Sequence, residues 1–238
     1  MMKMMFSLMF LIVSLQAGEV YATFNVEAQK SADLAFSSGG IVERVFVDVG
    51  SSVKKGETLA TLHHDDLKAM LKIAQTTLKY AKKDYNRQIQ VKNIIDKAKF
   101  DQYAFKYESA KAQLLYKQAL LDKTILKAPF DGVIFSKKVE EGDVVSGAMI
   151  RTLFEIQSLH KRKLILEFDQ KYWKSVKAGD RFTYTLDGDN KVYEGVIHEI
   201  YPVIESKERK IKAEVLAEDI MVGLFGIGTI FTEDRDSE

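Results

Sequence analysis

The sequence predicts a mainly β protein interrupted by an α-helical hairpin. A small β-sandwich is split into two halves, the hairpin lies between them, and a small antiparallel β-barrel follows the second half. Two observations lead there. One β-rich segment occurs twice, and between the copies the hydrophobic spacing changes from alternation to heptads.

The first copy runs Gly40-Ile41-Val42, then Val47 to Gly50, Val53, Gly56 and Thr58 to Leu62. The second runs Gly132-Val133-Ile134, then Val139 to Gly142, Val145, Gly147 and Met149 to Leu153. Gly40, Gly50 and Val53 match Gly132, Gly142 and Val145 at one constant offset. A one-residue deletion then aligns Gly56 with Gly147 and Leu62 with Leu153. The glycines Gly40, Gly50, Gly56, Gly132, Gly142 and Gly147 are expected to serve the tight turns of the two halves, residues 24–62 and 124–157. A repeat interrupted by helices implies two halves that meet in space to close one sandwich.

From Asp65 the period is helical. Leu67, Leu71, Ala74, Leu78, Ala81 and Tyr85 recur at alternating steps of four and three, and Asp65 and Asp66 suit the positive end of a helix dipole. The stripe fades at Val91 to Ile95, and Asp96 is placed to cap a second helix. The second seam is Phe100, Tyr103, Tyr107, Ala110, Leu114 and Leu121, interrupted by Lys117. Residues 63–123 therefore predict an antiparallel coiled-coil hairpin, each helix roughly 38 Å long at about 25 residues. Pro129 pushes Ala128 out of the helical region, so the second helix ends before it.

Residues 158–233 return to strand patterns: Leu164–Phe168, Arg181–Leu186, Tyr193–Ile200, Lys210–Leu216 and Gly228–Thr232, with a short helical turn in Gln170–Val176. Strands at this spacing suggest a small antiparallel barrel. Residues 234–238 form a polar tail. At the other terminus, Lys3 and the apolar run Met4–Leu15 read as an export signal, too short to span a bilayer. Val20-Tyr21-Ala22 places cleavage after Ala22, giving a signal peptide of residues 1–22. Gln16-Ala17-Gly18 is the second candidate site, and an uncleaved anchor is the alternative.

Composition excludes several chemistries. The 238 residues contain no cysteine, which removes disulfides, thiolate metal sites and a cysteine nucleophile. The net charge of +1 marks no nucleic-acid binder. His63-His64-Asp65-Asp66 is the one cluster resembling metal ligands. Adjacent side chains at a strand-to-helix junction diverge, however, and are better read as helix-start residues than as a convergent site. No catalytic triad or phosphate-binding glycine loop has its motif context, so no enzyme is expected. The hairpin holds thirteen Lys and Arg against seven Asp and Glu, a local excess of six positive charges in a near-neutral chain.

The order of these parts resembles the periplasmic adaptor subunits of efflux systems, the membrane fusion or HlyD-like proteins. The family's run of Ala-Pro-Phe-Asp-Gly before an apolar strand is here Ala128-Pro129-Phe130-Asp131-Gly132-Val133-Ile134. Glu194-Gly195-Val196-Ile197, Ile200 to Ile204 and Met221 to Gly226 resemble its barrel signatures. The resemblance implies a lipoyl-like barrel-sandwich hybrid, no cofactor, and a place in the periplasm at the inner membrane of a Gram-negative bacterium. It also implies three partners: an inner-membrane transporter (resistance-nodulation-division type or ATP-driven), an outer-membrane channel, and further copies in a trimeric or hexameric ring. Longer members build a membrane-proximal domain from both termini, and that domain is expected to be absent here.

Channel contact is implied at the hairpin tip, where Arg87, Val91, Ile95 and Asp96 are the candidates. Asp96 departs from the serine of the larger adaptors. Leu71, Leu78, Tyr85, Tyr103, Tyr107 and Leu114 would hold the hairpin closed. Related sandwiches carry lipoyl or biotinyl groups on a hairpin lysine. Asp96-Lys97-Ala98 has a similar sequence but falls at a helix start, so a carrier protein is the lesser alternative.

Overall fold

The computed structural model describes residues 18–91, 93–205 and 208–232, with Glu205 described in its backbone alone. The run Met4–Leu15 and the tail 234–238 lie outside the described residues. The chain divides into two compact units, one spanning Ser31–Leu159 and the other formed by the segments on either side of it.

Strand β1 (Gly18–Ala28) comes first in the chain and belongs to the second unit. The Ser31–Leu159 unit contains β2 (Ser31–Leu34), β3 (Gly40–Val45), β4 (Ser52–Val53) and β5 (Thr58–Leu62). Helices α1 (Asp65–Gln90) and α2 (Lys97–Asp122) follow, then β6 (Ile125–Lys127), β7 (Gly132–Lys137), β8 (Val144–Val145) and β9 (Phe154–Gln157). Its two four-stranded sheets have the orders β2-β9-β7-β4 and β6-β5-β3-β8. Each sheet therefore takes two strands from each half.

The repeat is visible in the hydrogen bonds. Gly50 N–H donates to Ile134 O at 2.7 Å and Ile134 N–H to Ser51 O at 3.0 Å. At the equivalent positions Gly142 N–H donates to Val42 O at 2.9 Å and Val42 N–H to Asp143 O at 2.8 Å. Side chains add to the interlock: Glu141 accepts from Val45 N–H and Asp131 from Lys55 N–H. Val42, Leu59, Leu62, Ile134, Leu153, Phe154 and Ile156 close the core between the sheets.

The expected turn glycines divide into two kinds. Gly50, Gly56 and Gly142 take φ of 87°, 84° and 92°, a region where a side chain is strained. Gly40 and Gly132 lie in strands β3 and β7. A Cβ on Gly132 would stand 2.3 Å from Gln157 O, so this glycine is there for close strand approach. Gly147 similarly meets the backbone of Gly39, 2.9 Å from its nitrogen.

The other unit is a closed six-stranded barrel. Besides β1 it contains β10 (Lys161–Asp169), β11 (Arg181–Leu186), β12 (Tyr193–Glu205), β13 (Lys210–Glu218) and β14 (Phe225–Thr232). The strand order is β1-β10-β13-β12-β11-β14. Closure leaves no open sheet edge. Phe24, Phe182 and Tyr184 pack edge-on or stacked at centroid distances of 5.3–5.9 Å inside it. Beside these rings the wall is glycine: Gly226 and Gly228 face Phe24 and Phe182, where a Cβ would approach ring atoms to 2.4 and 2.5 Å.

Two sequence expectations are corrected here. Residues 24–28 do not begin the sandwich; they complete β1, which pairs with β10 and β14 to close the barrel. Cleavage after Ala22 would remove Gly18–Ala22, five residues paired with β14, and with them the buried Val20 and Ala22. Of the two candidate sites, Gln16-Ala17-Gly18 takes only the first residue of the strand, Gly18.

A candidate docking surface on the helical hairpin

The hairpin is held by one seam. Along α1 and α2 the less exposed positions follow the heptads, with Ala74 and Ala110 the fully buried pair. Alanine there lets the helix axes approach closely, while larger residues fill the seam above and below. Leu71, Leu78 and Leu114 are half-buried along it. Toward the tip Tyr85 stacks on Tyr107 at 5.2 Å and meets Phe100 at 5.7 Å, and Tyr103 lines the adjoining groove. Lys117, the interruption in the heptad, lies with Nζ over the Tyr116 ring and 3.9 Å from Met70 Sδ, so its stem fills the seam while its head reaches water.

At the tip, α1 ends at Gln90, and Ile94 and Ile95 N–H both donate to Val91 O. Asp96 caps α2 by accepting from Lys99 N–H at 3.1 Å, and Arg87 pairs with Asp84 one turn back. Of the four tip candidates, then, Asp96 and Arg87 are engaged within the hairpin, Ile95 is half-buried and Val91 is exposed. Ile94, which the fading heptad did not single out, is 88% exposed at the apex, with Ile89 exposed nearby. Exposed apolar residues grouped at an apex make the tip a candidate docking surface.

Both helices expose apolar residues among charged ones outside the seam. Lys68, Lys72, Lys79, Lys82 and Lys83 are exposed on α1, around the apolar Ile73 and Tyr80. On α2 a second apolar set, Phe105, Leu115 and Tyr116, is exposed away from the seam, among both acids (Asp101, Glu108 and Asp122) and lysines (Lys97, Lys99, Lys106 and Lys111). A groove of about 370 Å³ lies between the helices beside Tyr80, Asp84, Tyr103, Phe105 and Gln113.

At the base, His64 is buried, with Nδ1 hydrogen-bonded to Leu62 O and 3.6 Å from the Glu43 carboxylate. It is a partnered core histidine. Lys68 holds the Asp65 carboxyl below its usual range by hydrogen bond and charge. Among the described residues no group of three or more His, Asp or Glu converges as a metal site. In the barrel, the hydrogen bonds from Lys191 N–H and Tyr193 Oη hold the Asp189 carboxyl low, and the bond to Asp189 pushes Tyr193 up.

The family model of the CzcB-like barrel-sandwich hybrid domain matches residues 30–156, more than half of the chain and the whole of the sandwich with its hairpin. The chain belongs to this family. The chain is 24% identical over 225 residues to the macrolide export protein MacA of Yersinia pestis, covering 78% of this chain and 59% of that protein. It is 24% identical over 204 residues to the cobalt-zinc-cadmium resistance protein CzcB of Cupriavidus metallidurans, covering 78% and 39%. The chain thus spans about half the length of the curated relatives it matches. A solved MacA-MexA chimera carrying the Pseudomonas aeruginosa MexA α-hairpin superposes with a TM-score of 0.80 at 24% identity, over 90% of this chain and 79% of that one. The fold is that of the membrane fusion proteins of efflux systems. No helix among the described residues is long and apolar enough to cross a membrane.

Proposed function

We propose that this protein is a periplasmic adaptor that links an inner-membrane efflux pump to an outer-membrane channel and performs no chemistry of its own. The observation that carries the proposal is the hairpin itself. Two helices of 26 residues leave a sandwich whose strands interlock across both halves, so a stem about 39 Å long is fixed to a rigid base. The exposed apex of Ile94, Val91 and Ile89 would meet the channel, and the barrel around Tyr193 to Val203 would meet the pump.

Assembly into a ring of three or six copies belongs to the same reading, with the exposed apolar residues Ile73, Tyr80, Phe105, Leu115 and Tyr116 as candidate contacts between copies. We take the pump to be of the resistance-nodulation-division type, with an ATP-driven transporter as the other class the resemblance admits. The relatives' names supply the cargo classes to test, macrolides and the divalent ions of cobalt, zinc and cadmium. Loss of the gene is expected to sensitise the cell to at least one of these, and the intact gene to restore resistance. Unchanged susceptibility across the panel, with the protein normally expressed, would count against export.

A further inference from the structure

One end of the barrel collects features that belong at a lipid surface. The pairings Gly18 with Thr232, Asp169 with Lys210 and Glu205 with Lys210 place the start of β1 and the ends of β10, β12 and β14 together. The connection from β10 to β11, residues 170–180, crosses this end. It begins with a 3-10 turn at Gln170–Tyr172 and presents Trp173, the sole tryptophan of the chain, 63% exposed.

The exposure of Trp173 is built in. Val176 is buried in the barrel core and fixes the segment from below. Trp173 N–H donates to Gln170 O, Val176 N–H to Tyr172 O and Gly179 N–H to Ile197 O, so the indole is held outward by a hydrogen-bonded turn. Lys174 Nζ lies 5.2 Å from the Trp173 ring and Lys171 Nζ 4.8 Å from the Tyr172 ring. Lys177, Arg181 and Arg209 are exposed at the same end, and Val203 and Ile204 add exposed apolar surface where β12 approaches it. Gln170 N–H donates to Arg209 O at 3.0 Å, joining the tryptophan turn to the β12–β13 connection.

The acids there are fewer and partly engaged. Asp169 and Asp180 accept from the Lys171 and Lys177 N–H groups, Asp180 is buried, and Asp169, Glu19 and Glu208 are exposed carboxylates among the described residues, against the five exposed cations Lys171, Lys174, Lys177, Arg181 and Arg209. Gly18, the first residue of β1, also lies at this end, and the apolar run Met4–Leu15 precedes it in the chain.

We propose that this end of the barrel is a membrane-surface docking site that takes anionic phospholipid headgroups, with Trp173 inserted at the interface and Lys171, Lys174, Lys177 and Arg209 over the phosphates. Indole rings favour the headgroup level, where one edge is apolar and the other wet, and each lysine near an anionic surface adds attraction. The proposal rests on the adaptor reading for its setting, because that reading brings the protein to the inner membrane.

Its test is independent of pump and channel. The exported chain is titrated with vesicles of equimolar phosphatidylglycerol and phosphatidylethanolamine at low salt, and Trp173 emission is followed. The expected result is a shift to shorter wavelength that is absent with phosphatidylcholine vesicles and weakens as salt is raised. Lys171→Gln with Lys174→Gln should lower the apparent partition by about 30-fold, the effect of two lost surface charges. Trp173→Ala should lower it too, as read by co-sedimentation.

An emission unchanged by anionic vesicles overturns the proposal, as does a shift indifferent to lipid charge and to the two lysines. A photo-crosslinker at Trp173 that captures a transporter in cells, while vesicles leave the emission unchanged, would assign this end to a protein partner instead. Any of these failures leaves the adaptor reading standing, since none involves the hairpin or the export phenotype.

Discussion

Leu78→Asp is expected to unfold the hairpin while leaving both β units folded. Leu78 sits half-buried in the seam, one heptad step from the buried Ala74. Replacing it removes apolar contact and puts a carboxylate where the facing helix shields it from water, a cost of about 2–4 kcal/mol. The hairpin has little to offset this. Each helix is 26 residues long, and most helical stability in proteins comes from packing one amphipathic face, which here is the seam alone.

Far-ultraviolet circular dichroism should therefore lose most of its helical signal, while Trp173 in the barrel keeps its native emission. Leu115→Asp is the control. Leu115 is exposed on the outward side of α2, so helicity should survive there and only association between copies should fall. Export should be lost in the Leu78→Asp protein, whereas a hairpin that stayed helical and exported normally would remove the seam from the account.

The second large effect is expected at Gly228→Val in the barrel. A Cβ at this position would stand 2.5 Å from both Thr183 O and the Phe182 ring, and β14 joins β1 to β11 as part of the closed wall. Neither the neighbouring backbone nor the packed ring can retreat far, so overpacking should cost about 3 kcal/mol. The barrel's unfolding temperature, read from Trp173 fluorescence, should fall by roughly 10 °C or more. The hairpin signal should persist, because the helices belong to the other unit. A Gly228→Val protein as stable as the parent would mean that the close packing of β14 on the Phe182 ring is not a constraint.

The parts legible in the sequence are those with a strong local period. The repeat positions its glycines so that both halves turn alike, and equal hydrogen bonds at Gly50 and Gly142 follow from that. The heptads locate both helices because apolar residues at that spacing, kept over several turns, share one face only when the chain is helical.

β1 was not legible as a barrel strand, since its small residues satisfy two requirements at once. Val20 and Ala22 suit a signal peptidase, and they equally suit the interior of a tight barrel, where both are buried. Its partners β10 and β14 lie far along the chain, and pairing at that distance leaves no local signature. Ile94 was missed for a different reason. An isoleucine reads as core until the turn that carries it outward is known, and here Asp96 begins the second helix just after it. The outward apolar set on α2 was likewise hidden, because a heptad that accounts for one face gives no reason to examine the other.

The bridge between two membranes is the central claim, and in-cell crosslinking tests it most directly. Photo-crosslinkers would be placed at Gln90, exposed at the end of α1, and at Glu194, exposed on β12. The account predicts an outer-membrane channel from Gln90 and an inner-membrane transporter from Glu194, and the identity of the transporter names the pump class. Recovery of neither, from cells in which the protein is expressed and exported, would contradict it.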